Sequence, residues 1–243
     1  MIADLPLWML GLASLIVVLG VIVQTTTGMG FGLTSAPLLA MIDTHFVPIP
    51  IIVLGIVTAS LAATKERGQV RMDEVGVALA GRFAGMLCAI AVLLVLPGKD
   101  SFAVLFSAGI LFAVALSLAG FRLALTRGAL VSMGFISGLM GTITSVGAPP
   151  MALIYQDVKA DHARSTLNAF FAIGAAVSLF GLIAIGRVHW SDAVLIAVLA
   201  PVMLVASYFA PRLNARVARR YRPVVLALSA VAAINLLARA FLW

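Results

Sequence analysis

The chain has 243 residues, 63% of them apolar and 10% charged, with a mean hydropathy of +1.17. A water-soluble domain carries about 25% charged residues, so a soluble globule, a disordered chain and a nucleic-acid-binding domain are excluded, and the solvent that suits this composition is a bilayer. The net charge of +7 then reports which loops face the cytoplasm rather than an acidic partner.

In chain order, the N-terminal MIADLPLW holds Asp4 and no Lys or Arg. A secretory signal needs a basic start, so this segment is expected to be retained. Apolar runs follow at 7–27, 47–64, 74–97, 101–121, 129–141, 165–186, 193–210 and 222–242. Most approach the ~20 residues with which a helix crosses the hydrocarbon. Two places break the rhythm. After the first run comes QTTTGMGFGLTSAP (24–37), then a short apolar piece to Met41; after Gly141 comes TITSVGAPP (142–150), then a short piece to Tyr155. Each is a Gly/Thr/Ser/Pro break followed by a helix too short to span. The single cysteine, Cys88, can form neither an intramolecular disulfide nor a metal cluster.

The breaks disclose a repeat. One shift places Gly28 on Gly141 and Pro37 on Pro150; a slightly larger one places Gly68-Gln-Val-Arg-Met on Gly186-Arg-Val-His-Trp and Glu74 on Asp192. Loop charge chooses the topology. Eight plain crossings divide the Lys and Arg residues almost evenly, which decides nothing. If each broken segment instead returns to the side it came from, one side holds twelve (Lys65, Arg67, Arg71, Arg122, Arg127, Lys159, Arg164, Arg212, Arg216, Arg219, Arg220, Arg222) and the other three (Lys99, Arg187, Arg239). The positive-inside rule demands that asymmetry.

The predicted fold is therefore an all-α membrane protein of two inverted repeats, each a broken-helix hairpin plus three transmembrane helices. Residues 1–121 form the first (hairpin 7–43, spans 47–64, 74–97 and 101–121), and 122–243 the second (hairpin 129–156, spans 165–186, 191–211 and 222–242). Three crossings per half is an odd number, so the halves are opposed. Both termini then face away from the cytoplasm, in a multi-pass protein of the inner membrane.

Irregular backbone at membrane depth is tolerated where protein buries it or where it lines a watery cavity, and inverted repeats with broken helices are the transporter pattern. Ser35 is a plausible N-cap for the first short helix, with Pro37 in its first turn; Ser145 or Gly147 serves before Pro149 and Pro150 in the second. Both half-helix N-termini carry free N–H groups and partial positive charge, the ingredients of an anion site. The hydroxyls of Thr25, Thr26, Thr27, Thr34, Thr142, Thr144 and Ser145 add donors. Gly28, Gly30, Gly32, Gly141 and Gly147 let backbone approach a ligand, and the amides of Gln24 and Asn168 lie within apolar runs. The alternative for such residues is helix packing. Arg82 is the charge deep in a predicted span, about 13 Å along a helix from Asp73. Its alternative is snorkelling to the cytoplasmic surface, but Gly81 and Gly85 beside it suggest a face that packs on another helix.

All nine Asp/Glu and the three His lie at loops or helix ends, and no HExxH, Ser-His or Walker pattern is present, so neither an enzyme nor a bound cofactor or metal is expected. The expected partners are a small anion, the lipid bilayer and, as a homodimer, a second copy.

Gly28-Met-Gly-Phe-Gly-Leu-Thr-Ser-Ala-Pro37 resembles the glycine-rich, proline-terminated segment that opens the sulfite exporter TauE/SafE family. Gly134-Phe-Ile-Ser-Gly-Leu-Met-Gly141, Gly147-Ala-Pro-Pro150 and Leu153-Ile-Tyr155 are similar to the opening of that family's second repeat, and Arg67-Gly-Gln-Val70 and Arg164-Ser-Thr166 fit its loop positions. The chain departs from the pattern in having fewer glycines in both breaks. The resemblance implies a permease, mostly an exporter, for sulfite, organosulfonates or related sulfur-containing anions. A passive anion channel and a membrane scaffold without substrate are the competing classes.

Overall fold

The computed structural model describes residues 6–65, 67–120, 122–210 and 215–242. Among them are ten α-helices and no strand: α1 (Leu7–Thr27), α2 (Phe31–Ile42), α3 (Ile49–Lys65), α4 (Met72–Val95), α5 (Lys99–Leu118), α6 (Arg127–Thr144), α7 (Ala148–Tyr155), α8 (Ala160–Ala184), α9 (Trp190–Phe209) and α10 (Ala215–Leu242). Five are long and apolar enough to cross a membrane: α1, α4, α5, α8 and α9. The apolar helix α3, at 17 residues, and the stretch Pro223–Arg239 of α10 are shorter. Large apolar side chains are exposed on the outer faces, among them Phe83, Leu87, Phe180 and Tyr208. That is the surface hydrocarbon accepts, while every helical backbone bond stays internal.

The first break is made by glycines. Gly28 ends α1 in the left-handed region (φ 80°), its N–H bonded to the Gln24 carbonyl, and Gly30 (φ 109°) starts α2. An L side chain at either place would be strained. The chain folds back so tightly that Gly20 of α1 abuts Phe31 and Ser35 of α2. The expected N-cap at Ser35 is therefore corrected: α2 starts at Phe31 with Gly30 as its cap, and both Ser35 and Pro37 lie inside the helix. Two consecutive left-handed glycine turns let the helix start earlier than a serine cap would. Pro37 cannot donate to the Leu33 carbonyl, and the Ser229 hydroxyl of α10 donates to it instead (3.0 Å).

The second break rests on Ser145, the one described non-glycine residue with positive φ (65°). It ends α6, and its hydroxyl donates to the Pro48 carbonyl just before α3 (2.9 Å). Of the two expected caps, Gly147 is the one used; Pro149 and Pro150 follow in the first turn of α7. This segment also returns to where it began. The Leu123 N–H donates to the Leu153 carbonyl, and Arg122 pairs with Asp157 at 2.8 Å. A plain span would part those residues by the thickness of the membrane.

Helices α4 and α6 make the closest packing. Gly81 and Gly85 lie against the backbones of Val131 and Phe135, and Gly134 and Gly138 against those of Ala78 and Arg82. The Gly81/Gly85 face thus packs on a helix, as its small residues suggest, and the matching order of contacts makes the two helices parallel. At one end of the bundle the Lys65 ammonium donates to the Ser207 carbonyl, the Arg71 N–H to the Thr166 hydroxyl and the Tyr155 hydroxyl to Glu74. At the other end Arg187 donates to the Leu93 carbonyl. Of the charges that chose the topology, Arg212 lies outside the described residues, as do the side chains of Arg67, Lys99, Arg216, Arg219, Arg220 and Arg222.

Candidate functional site

The two breaks meet. Gly32, in the first turn of α2, touches the Ser145 carbonyl so closely that no side chain fits between them. Around this contact lies a cavity enclosing about 50 Å³, lined by both hairpin tips, the start of α3 (Ile51, Ile52, Gly55), the middle of α8 (Phe171, Ala175) and Arg82. At one water per 10–15 Å³ it holds roughly three to five waters, a volume on the scale of one small oxyanion.

Arg82 enters from α4 and is only 3% exposed, so it does not snorkel. Its guanidinium occupies a notch walled by Gly141, Gly147 and Gly174, where any of three Cβ atoms would crowd it. One terminal nitrogen donates to the Ser137 hydroxyl (2.9 Å), which in turn donates to the Gly147 carbonyl (2.7 Å). The cation also lies 5.1 Å from the ring centre of Phe170 and 5.8 Å from that of Phe171, contacts that stabilise a guanidinium while shielding it from lipid. Its Nε has no partner, and among the described residues no carboxylate pairs with it. A buried charge without a counter-ion is costly. Here the positive end of α7 points at the same place, at Gly147.

Gln24 joins the first hairpin to α8. Its Oε1 accepts from the Phe31 N–H (3.2 Å), while its Nε2 donates to the Gly28 carbonyl (3.1 Å) and to Asn168 Oδ1 (2.8 Å). That orientation leaves Asn168 Nδ2 buried with no partner.

Of the residues singled out in the sequence, Gln24, Gly30, Gly32, Arg82, Gly141, Ser145 and Gly147 line the cavity. The others stand behind it. Thr25, Thr26 and Thr27 donate back to carbonyls of their own helix, and Thr144 to Met140. Thr142 donates to Ser178, linking α6 to α8. Gly28 packs on the Arg164 backbone, and Ser35 on Gly20. Asn168 reaches the cavity through Gln24. Missed by sequence reasoning were Ser137, Phe171, Gly174 and Ala175. Ser137 and Gly174 had a signal, being small residues within apolar runs; Phe171 and Ala175 look like any helix core.

The family model for the sulfite exporter TauE/SafE matches residues 12–236. No curated protein and no solved structure matches the chain.

Proposed function

The chain belongs to the sulfite exporter TauE/SafE family and is a multi-pass membrane transporter, and from that premise we propose that it is a secondary exporter of small sulfur-containing oxyanions such as sulfite or organosulfonates, held where the two hairpin tips meet near the midplane. One observation carries the reading: Arg82 is buried in a cavity between both tips, with no carboxylate partner among the described residues, facing the positive end of a half-helix. Fixed positive charge that no protein group balances, in a low-dielectric cavity, is balanced by an anionic ligand. Guanidinium also matches an oxyanion in a bidentate way. Gly32 and Leu33 at the start of α2, and Ala148 at the start of α7, add N–H groups that have no helical acceptor.

The two-repeat reading has support in the pairings. Exchanging each helix for its counterpart (α1 with α6, α2 with α7, α3 with α8, α4 with α9, α5 with α10) turns the α1–α2 pairing into α6–α7, α1–α9 into α6–α4, α3–α9 into α8–α4 and α2–α10 into α7–α5, all of which occur. The tips correspond too: Gly28 rests against the start of α8, and Ser145 against the residue before α3. Opposed halves of this kind suit rocking of one against the other around a fixed site. Export, as against uptake, comes from the family.

Binding of sulfite and methanesulfonate to the purified protein, measured by calorimetry, tests the site. Replacing Arg82 by Gln is expected to weaken binding about 10- to 100-fold, the scale of a lost charge-assisted hydrogen bond, with a normal thermal transition; Arg82→Lys is expected to rescue it partly. Wild-type binding by Arg82→Gln would leave the residue a packing element and refute the site.

A further inference from the structure

The charges within the cavity bear on which anion it takes. Among the described residues Arg82 is the one ionised group that lines it. Glu74, eight residues earlier on α4, lies about 12 Å along the helix and is engaged by Tyr155 and His162. Two half-helix ends could in principle add about half a charge each, but that partial charge resides on N–H groups with no acceptor, and only those of Gly32, Leu33 and Ala148 remain here, which orient one anion without supplying a second full charge. In α7 two of the first three positions are Pro149 and Pro150, which have no N–H. In α2 the first N–H, that of Phe31, is taken by Gln24 Oε1. Ser145 also lines this space, with its carbonyl held against Gly32 at the contact of the tips. The remaining walls are apolar, from Ile51, Ile52, Phe171 and Ala175.

We infer that the site selects by valence: it takes monoanions, such as bisulfite or a monosulfonate, and rejects dianions of the same size. This rests on the anion reading above. One guanidinium neutralises one negative charge, and the sum inside the bundle is then close to zero. A second negative charge would stand in a low-dielectric cavity against largely apolar walls, with no second cation among the described residues to meet it. Sulfite titrates between its singly and doubly charged forms near neutral pH, so the site would draw bisulfite from that equilibrium.

Calorimetric binding of three probes to the wild-type protein in nanodiscs, from mildly acidic to mildly alkaline pH, tests this. Methanesulfonate is a monoanion throughout, sulfate a dianion of nearly the same shape, and sulfite changes charge by one proton with no change in its heavy atoms. The expected result is pH-independent binding of methanesulfonate, sulfate weaker by at least about tenfold, and sulfite affinity falling about tenfold for each pH unit above its own titration. The sulfite series separates charge from the apolar contact of the methyl group. Sulfate binding as tightly as methanesulfonate, or sulfite binding more tightly as pH rises, overturns valence selection and leaves the anion site standing. Binding of none of the three at any pH overturns both.

Discussion

Arg82 and the glycines around it decide the chemistry at the residue scale. Gly174 lies so close to the Arg82 side chain that a Cβ there would displace Nε and Cδ. Gly174→Ala is therefore expected to move the guanidinium without unfolding the helix, since alanine is the better helix former. Anion affinity measured by calorimetry should fall about tenfold or more while the thermal midpoint holds; unchanged affinity would mean that the placement of Arg82 is immaterial. Ser145 carries the other constraint. Its left-handed backbone costs on the order of 1–3 kcal/mol, and its hydroxyl bond to Pro48 offsets part of that. Ser145→Ala removes the bond and keeps the strain, whereas Ser145→Gly removes both. The glycine variant should therefore be more stable than the alanine variant by about 1 kcal/mol in denaturant unfolding, and equal stabilities would contradict a strained turn. The amide and glycine positions were legible because polar and small residues stand out in apolar runs. What a threonine does was not, since a hydroxyl in a helix serves a ligand or its own carbonyl equally well, and Thr25, Thr27 and Thr144 chose the carbonyl.

Among the elements, the two short helices differ in how they begin and in what they lean on. Pro37 interrupts α2 and exposes the Leu33 carbonyl, which Ser229 of α10 satisfies. Removing that hydroxyl strands a carbonyl in the bundle, a loss of about 1–2 kcal/mol. Restoring an N–H at position 37 supplies a helical donor in its place. Ser229→Ala should thus destabilise the wild type clearly and the Pro37→Ala background little, in a thermal double-mutant cycle; additive effects would show that the Ser229 bond does not depend on the proline. The break, the proline and the shortness of the helix were readable. The register of the start was not, because Ser35 is as good a cap in sequence as Gly30, and the choice went to the two glycine turns that bring α2 back along α1. Close packing of α4 on α6 was half legible. Gly81/Gly85 and Gly134/Gly138 each mark a face where backbones can meet, but nothing in one dimension pairs the first with the second.

For the whole molecule the topology is the measurable property. The ends of α3 and α9 and the starts of α4 and α8 share one face, and both ends of the second hairpin are joined by Arg122–Asp157. By the positive-inside rule, the excess of Lys and Arg in the sequence leads us to expect that this face is cytoplasmic. With Cys88 replaced, single cysteines introduced at Gln69 and Val158 should both label from the cytoplasmic side, and one at Asp100 from the opposite side. Labelling of positions 69 and 158 from opposite faces would restore eight plain spans and discard the hairpin.

Composition alone determined the solvent; a bilayer admits helices and closed barrels, and the unbroken rather than alternating apolar runs determined that the fold is helical. Apolar length and Gly/Pro punctuation determined where the helices lie, and loop charge supplied an expectation of which ends belong together, since both are properties of segments. The tertiary structure decided which segments touch. Arg82 could have reached the membrane surface from the same position on α4. It faces inward because Gly141 and Gly147 of the second break and Gly174 of α8, some thirty residues further on, vacate one notch of guanidinium size. A vacancy shared by separate segments has no sequence signature, so the cavity became visible only when the two breaks were brought into contact at Gly32 and Ser145.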